Sequence, residues 1–123
     1  MSVIVTDTGF GSDDWRGEAL ELASDTAPET LSEAAKGQDM IVIDFPSVAD
    51  GRGFTLARLL RVRGYTGRLR ARGHVIADQY AMARRAGFDE VEIDDALAAR
   101  QPEDQWLFRA DWRAGDYQAR LRG

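Results

Sequence analysis

The sequence predicts an α/β protein, a single domain over 1–123. Its sheet is open or partial-barrel-like, mainly parallel, of about four strands with helical crossovers. Three observations carry this reading. Short apolar or alternating runs at 40–45, 68–72 and 90–93 are separated by stretches of helical periodicity. Gly64 and Gly87 stand where those helices must stop. The repeated strand–helix–strand spacing fits right-handed βαβ units, with too few strands for an eight-stranded barrel.

Taken in order, residues 3–6 are a short β-branched run, and Gly9-Phe10-Gly11-Ser12 turns the chain. Residues 19–22 form a weaker strand. Thr26-Ala27-Pro28-Glu29 fits a capping box, with proline accepted in the first turn of a helix that runs to about Lys36 and stops at Gly37. Met40-Ile41-Val42-Ile43-Asp44-Phe45 is the clearest strand. A helix over 54–63 then places Leu56, Leu59 and Leu60 on one face, with Arg58 and Arg61 elsewhere. Residues 68–72 alternate strictly, Leu69 and Ala71 against three arginines. A helix over 75–86 carries Ile76, Tyr80 and Ala83 as its stripe, with Arg84 and Arg85 in the last turn, where the dipole favours cations. Residues 90–93 are a strand. Asp94 caps a short helix over 95–100, and Pro102 opens a final helix carrying Trp106, Leu107 and Ala110.

Composition narrows the function classes. With 44% hydrophobic and 30% charged residues the chain reads as globular. No apolar run reaches the roughly 20 residues of a membrane helix, so no membrane partner is expected. Residues 1–5 lack the features of a secretion signal, which makes a cytoplasmic location the expectation. The chain has no cysteine and one histidine, His74. Thiol redox chemistry and cysteine-ligated clusters are excluded on this chain, and no conventional zinc ligand set is present. No metal and no cofactor are therefore expected.

The net charge of −5 is unevenly spread. Residues 1–50 carry a net of −9, residues 51–88 a net of +8, and residues 89–123 a net of −4. A basic centre can bind an anion or nucleic acid. It can equally be neutralised by the acidic flanks on folding. The second reading is preferred, since no aromatic–basic interleaving marks a nucleic-acid surface.

Two constellations could carry function. Asp50-Gly51-Arg52-Gly53 follows a strand and precedes a helix, where backbone N–H groups, the helix dipole and Arg52 can hold an oxyanion. The same glycines can simply permit a tight turn at positive φ. Alternation also puts Asp44, Arg70 and Glu92 on one sheet face, with Glu21 able to join from the weaker strand. As an acid–base set these are the candidate catalytic residues. As an ion-pair network they are structural, and that reading is preferred. His74, at a strand-to-helix turn, has a pKa suited to a general base, but nothing nearby completes a nucleophilic triad. Trp106, Phe108, Trp112 and Tyr117 read mainly as core, with part of the group suited to a subunit interface and hence a homodimer.

Three stretches, VIDFPSVADGRGFTLARLLR, YTGRLRARGHVIADQYAMARRAGFDEVEI and the early DDW, resemble a bacterial domain-of-unknown-function family. Its small proteins are often encoded beside sulfite reductase and sometimes labelled oxidoreductases. The resemblance covers about 43–93. The family's recurring polar positions match Asp44, Asp50, Arg52, Arg58, Arg70, Asp78 and Gln79 here. The ligand-binding expectation is therefore Asp50, Gly51, Arg52, Gly53, Arg58, Asp78 and Gln79. The sequence departs at His74, where the family has aspartate, at Arg72, commonly apolar, and at Met82-Ala83-Arg84. The resemblance implies an accessory protein of assimilatory sulfate and sulfite reduction, binding a partner such as sulfite reductase or a small oxyanion. It is not expected to be an independent redox enzyme. The alternative is a small enzyme acting on a sulfur-containing or phosphorylated metabolite through the Asp/Arg/Glu cleft.

Overall fold

The computed structural model describes residues 2–112. Its strands are β1 (Ser2–Thr6), β2 (Gly9–Gly11), β3 (Leu20–Leu22), β4 (Met40–Phe45), β5 (Arg68–Gly73) and β6 (Glu90–Asp94). The helices are α1 (Leu31–Ala35), α2 (Arg52–Val62), α3 (Tyr80–Ala86), α4 (Asp95–Arg100) and α5 (Glu103–Leu107). The sheet is open and ordered β2-β1-β6-β5-β4-β3. It has six strands rather than the expected four. Strands β3 to β6 are mutually parallel, as predicted for β4, β5 and β6. The β1–β2 hairpin pairs antiparallel onto β6. The expected turn at Gly9–Gly11 is thus a three-residue edge strand.

The parallel strands lie side by side in chain order, so right-handed crossovers put α1, α2 and α3 on one face. That face is the core. Ile41, Ile43, Phe45, Leu69, Ala71, Val91 and Ile93 pack there with Leu31, Leu56, Ala57, Leu60, Tyr80, Ala83 and Trp106 in one cluster. Phe45, Phe54 and Phe88 meet at tilted or edge-on angles with ring centroids 4.9–6.4 Å apart, the arrangement that aromatic quadrupoles favour. The opposite face carries the charged side chains of β4, β5 and β6. The segment 12–19 crosses it, laying Asp13 on Arg70, Asp14 on Arg68 and the Trp15 ring beneath Arg68.

Several local expectations change. Thr26 does not cap: its hydroxyl donates to the Ala23 carbonyl, and a 3-10 turn, Pro28–Thr30, opens α1 instead. Helix α2 begins at Arg52, two residues earlier than its apolar periodicity shows. The predicted helix over 75–86 opens with a 3-10 turn at Ala77–Gln79, where the Gln79 side chain accepts from Ile76 N–H. Asp94 caps α4 as expected, accepting from Leu97 N–H at 2.7 Å. Helix α5 ends at Leu107, so Ala110 lies beyond it, and Leu107 is exposed. Among the aromatics, Trp106 is buried, Phe108 is 78% exposed, and Tyr117 lies outside the described residues. No helix among the described residues is long and apolar enough to cross a membrane.

Candidate functional site

Strand alternation builds the charged sheet face. On β5, Leu69 and Ala71 turn to the core, which sends Arg68, Arg70 and Arg72 the other way. The register sets Arg70 beside Val42 and Glu90, and Arg72 between Asp44 and Glu92. Arg70 Nε donates to Glu90 Oε2 at 2.5 Å, and its Nη1 donates to Glu92 Oε1 at 3.0 Å. Its two terminal nitrogens also clamp the Asp13 carboxylate at 2.9 and 3.0 Å. Arg72 holds Asp44 with two bonds, 2.8 and 3.1 Å, and Glu21 with a third, 2.7 Å. Arg68 joins Glu90 at 2.6 Å and Asp14 at 2.7 Å.

Of the predicted trio, Arg70 and Glu92 touch, while Asp44 pairs with Arg72 instead. Glu21 joins through Arg72. The set is an ion-pair ladder three arginines long. Arg70 is only 4% exposed, and carboxylates take its N–H groups on three sides. Burial works against its charge, yet Asp13 and Glu90 raise its pKa above the arginine value. The bonds from Arg70 hold Asp13 down at about 2. A carboxylate so stabilised is a poor proton acceptor near neutrality, and an arginine so tethered is a fixed cation.

The loop after β4 answers the question of its glycines. Neither Gly51, at φ −87°, nor Gly53 has positive φ, so the expected left-handed turn is absent. Gly53 serves close packing: a Cβ there would lie 2.5 Å from Phe45 Cζ. Asp50 organises the loop. Its Oδ1 accepts from Arg52 N–H (3.1 Å) and Arg52 Nε (2.9 Å), and its Oδ2 accepts from Arg52 Nη2 (2.8 Å) and Ser24 Oγ (2.7 Å). Hydrogen bonding from Arg52 drives the Asp50 pKa far below the carboxylate range. Arg52 is thus bound to an internal carboxylate at the place where an external oxyanion was expected.

The other expected ligand residues divide: Gln79 and Arg58 adjoin the loop, and Asp78 turns to Arg109. Gln79 ties the loop to the following turn, donating to the Val48 carbonyl at 3.0 Å. Asp78 pairs with Arg109 at 3.0 Å. Arg58 is exposed and lines a groove with Gly51, Phe54, Thr55 and Met82. A different concavity, about 240 Å³, lies at the carboxyl ends of β5 and β6. Its walls include Ser2, Arg72, His74, Glu92, Asp94 and Arg100.

Sequence reasoning missed Glu90, Asp13 and Arg100. Glu90 had a signal, since it shares the strand face of Glu92 two residues on. Asp13 showed only within the early DDW stretch, with no sign of its partner, which lies 57 residues away. Arg61, read only as pointing away from the apolar face, is a clamp: it donates to the carbonyls of Tyr65, Gly67 and Gly87 and to Asp89.

A family model described as a bacterial protein of unknown function (DUF934) matches residues 19–122. The Asp13-Asp14-Trp15 segment lies before the matched region. Comparison with curated proteins and with solved structures gives no match.

Proposed function

The chain belongs to the bacterial DUF934 family of unknown function, and from that premise we propose that it is an accessory protein of assimilatory sulfite reduction that acts by binding. The observation that carries this reading is the filling of the expected cleft: Arg70 and Arg72 are each bonded to carboxylates from two or more segments. An acid–base enzyme needs at least one such group free to meet substrate. Without cysteine, the chain has no ligand for a thiolate-held cluster. Exposed Met82 and Phe108 offer apolar anchors to a protein partner, and the resemblance to proteins encoded beside sulfite reductase supplies the partner to try first.

The test has a genetic arm and a biochemical arm. Deletion of the gene is scored for growth on sulfate, sulfite and sulfide. Growth rescued by sulfide alone places the defect at sulfite reduction, and unimpaired growth on sulfate removes the proposal. Pull-down with the cognate reductase at low and moderate salt reads the partnership directly. Reduction of sulfite by the purified chain alone, or a stoichiometric flavin spectrum, overturns the non-redox part.

A further inference from the structure

We infer that a small oxyanion binds between the carboxyl ends of β5 and β6, gripped by Arg100 and His74. The inference rests on the binding role proposed above and gives its ligand a site distinct from the Asp50 loop.

Local sequence builds this site from both strand ends. Gly73 closes β5 at φ +113°, and a Cβ there would sit 2.6 Å from the Phe45 carbonyl oxygen. Glycine lets the chain turn so that His74 N–H donates to that carbonyl at 3.0 Å, leaving the imidazole at the strand end, not on a sheet face. β6 passes directly into α4 through the Asp94 cap. Three-residue spacing then sets Leu97 and Arg100 on one side of α4, and both line the cavity. Ile93 and Leu97 supply its apolar wall. In parallel α/β sheets, ligands bind at this end of the strands. The cavity, about 240 Å³, lies below the roughly 300–1,000 Å³ of sites that take drug-sized molecules, so the ligand is small.

The charges facing the cavity decide the ligand class. Glu92 is committed to Arg70 at 3.0 Å. Asp94 spends one oxygen on the Leu97 cap. Arg72 gives three N–H groups to Asp44 and Glu21, leaving two of a guanidinium's five donors. Arg100 and His74 have no ion pair or side-chain hydrogen bond among the described residues. Arg100 and His74 therefore hold unspent N–H donors, matched to an oxyanion that a guanidinium can hold with two parallel bonds. The carboxylates of Glu92 and Asp94 on the same rim disfavour a polyanion. They favour a small anion of low charge, or one whose own proton can be donated to Asp94.

The full-length protein is titrated calorimetrically with inorganic phosphate and sulfite at constant ionic strength. Phosphate or sulfite should bind. Arg100→Ala should weaken that binding about tenfold or more, the loss of one charge-assisted contact. His74→Ala should weaken it less, and Arg16→Ala, at an exposed arginine elsewhere, should leave it unchanged. Arg100 and His74 are exposed, so the variants should keep the wild-type circular dichroism and melting temperature; Arg100→Gln, which retains part of the side chain, repeats the test. The inference is overturned by two results: no binding of phosphate or sulfite, or binding unchanged in both Arg100 variants. Loss of binding in Arg52→Ala with Arg100→Ala unaffected moves the anion to the Asp50 loop and equally overturns it. The growth assay is independent: a bound anion without a growth defect keeps the site and removes the accessory role.

Discussion

Replacing Arg70 with methionine keeps much of the aliphatic volume and removes every N–H donor. Glu92 and Asp13 can turn toward water, with side chains 18% and 44% exposed. Glu90 cannot, at 3%, and retains only the bond from Arg68. Breaking a buried ion pair by removing one partner costs about 3–5 kcal/mol. Because Arg68 remains, the lower end, about 3 kcal/mol, is expected. Against an unfolding entropy of about 0.26 kcal/mol/K for a chain of 123 residues, the melting temperature should fall by about 12 °C. The paired variant Arg70→Met with Glu90→Met should recover to within about 1 kcal/mol of wild type, since apolar groups of similar volume replace buried ion pairs well. Urea unfolding followed by tryptophan emission, together with scanning calorimetry, reads both. A loss under about 1 kcal/mol in the single variant would refute the buried-pair argument. A double variant as unstable as the single would show that tethering of the 12–19 segment, not uncompensated Glu90, carries the loss.

The same segment should make stability acid-sensitive. The Asp13 pKa is about 2 in the folded protein against 3.8 for the free group. Its contribution is therefore complete above the unfolded value and is lost as pH falls through the folded one. Asp13→Asn should flatten the stability profile across that window, measured by urea midpoints at stepped pH. Gly53→Ala should destabilise by about 1–3 kcal/mol through overpacking against Phe45, despite alanine's better helix propensity; a stabilised variant refutes the contact. Tyr80→Phe deletes the 2.5 Å hydrogen bond to Asp7 and should cost about 1–2 kcal/mol by denaturation. Burial, reinforced by Asp7, raises the Tyr80 pKa well above the phenol range, so in alkaline titration its phenolate absorbance should appear only on unfolding.

The parallel trio β4, β5 and β6 was legible because its signals are local. Period-two alternation at Arg68–Gly73 follows from strand geometry at each residue. Gly64 and Gly87, at φ +98° and +117°, close helices by their own conformational freedom. Asp94 caps three residues ahead. The shared face of Asp44, Arg70 and Glu92 was legible for the same reason. Which of them touch was not, since Arg70 meets carboxylates 20, 22 and 57 residues away. The family match over 19–122 extends well beyond the stretch over 43–93 in which the resemblance could be read.

By itself, then, the sequence determined the elements of the parallel sheet and the face each side chain takes, because backbone geometry imposes both one residue at a time. Tertiary structure alone decided that β1 runs antiparallel to β6, that three residues at Gly9–Gly11 become an edge strand, and that Ser24 donates to Asp50 across 26 residues. It also decided that His74 and Arg100, 26 positions apart, face one cavity. Strand direction, register and ion-pair choice are set by which segments compete for the same neighbour, and that competition exists only once the chain has closed on itself.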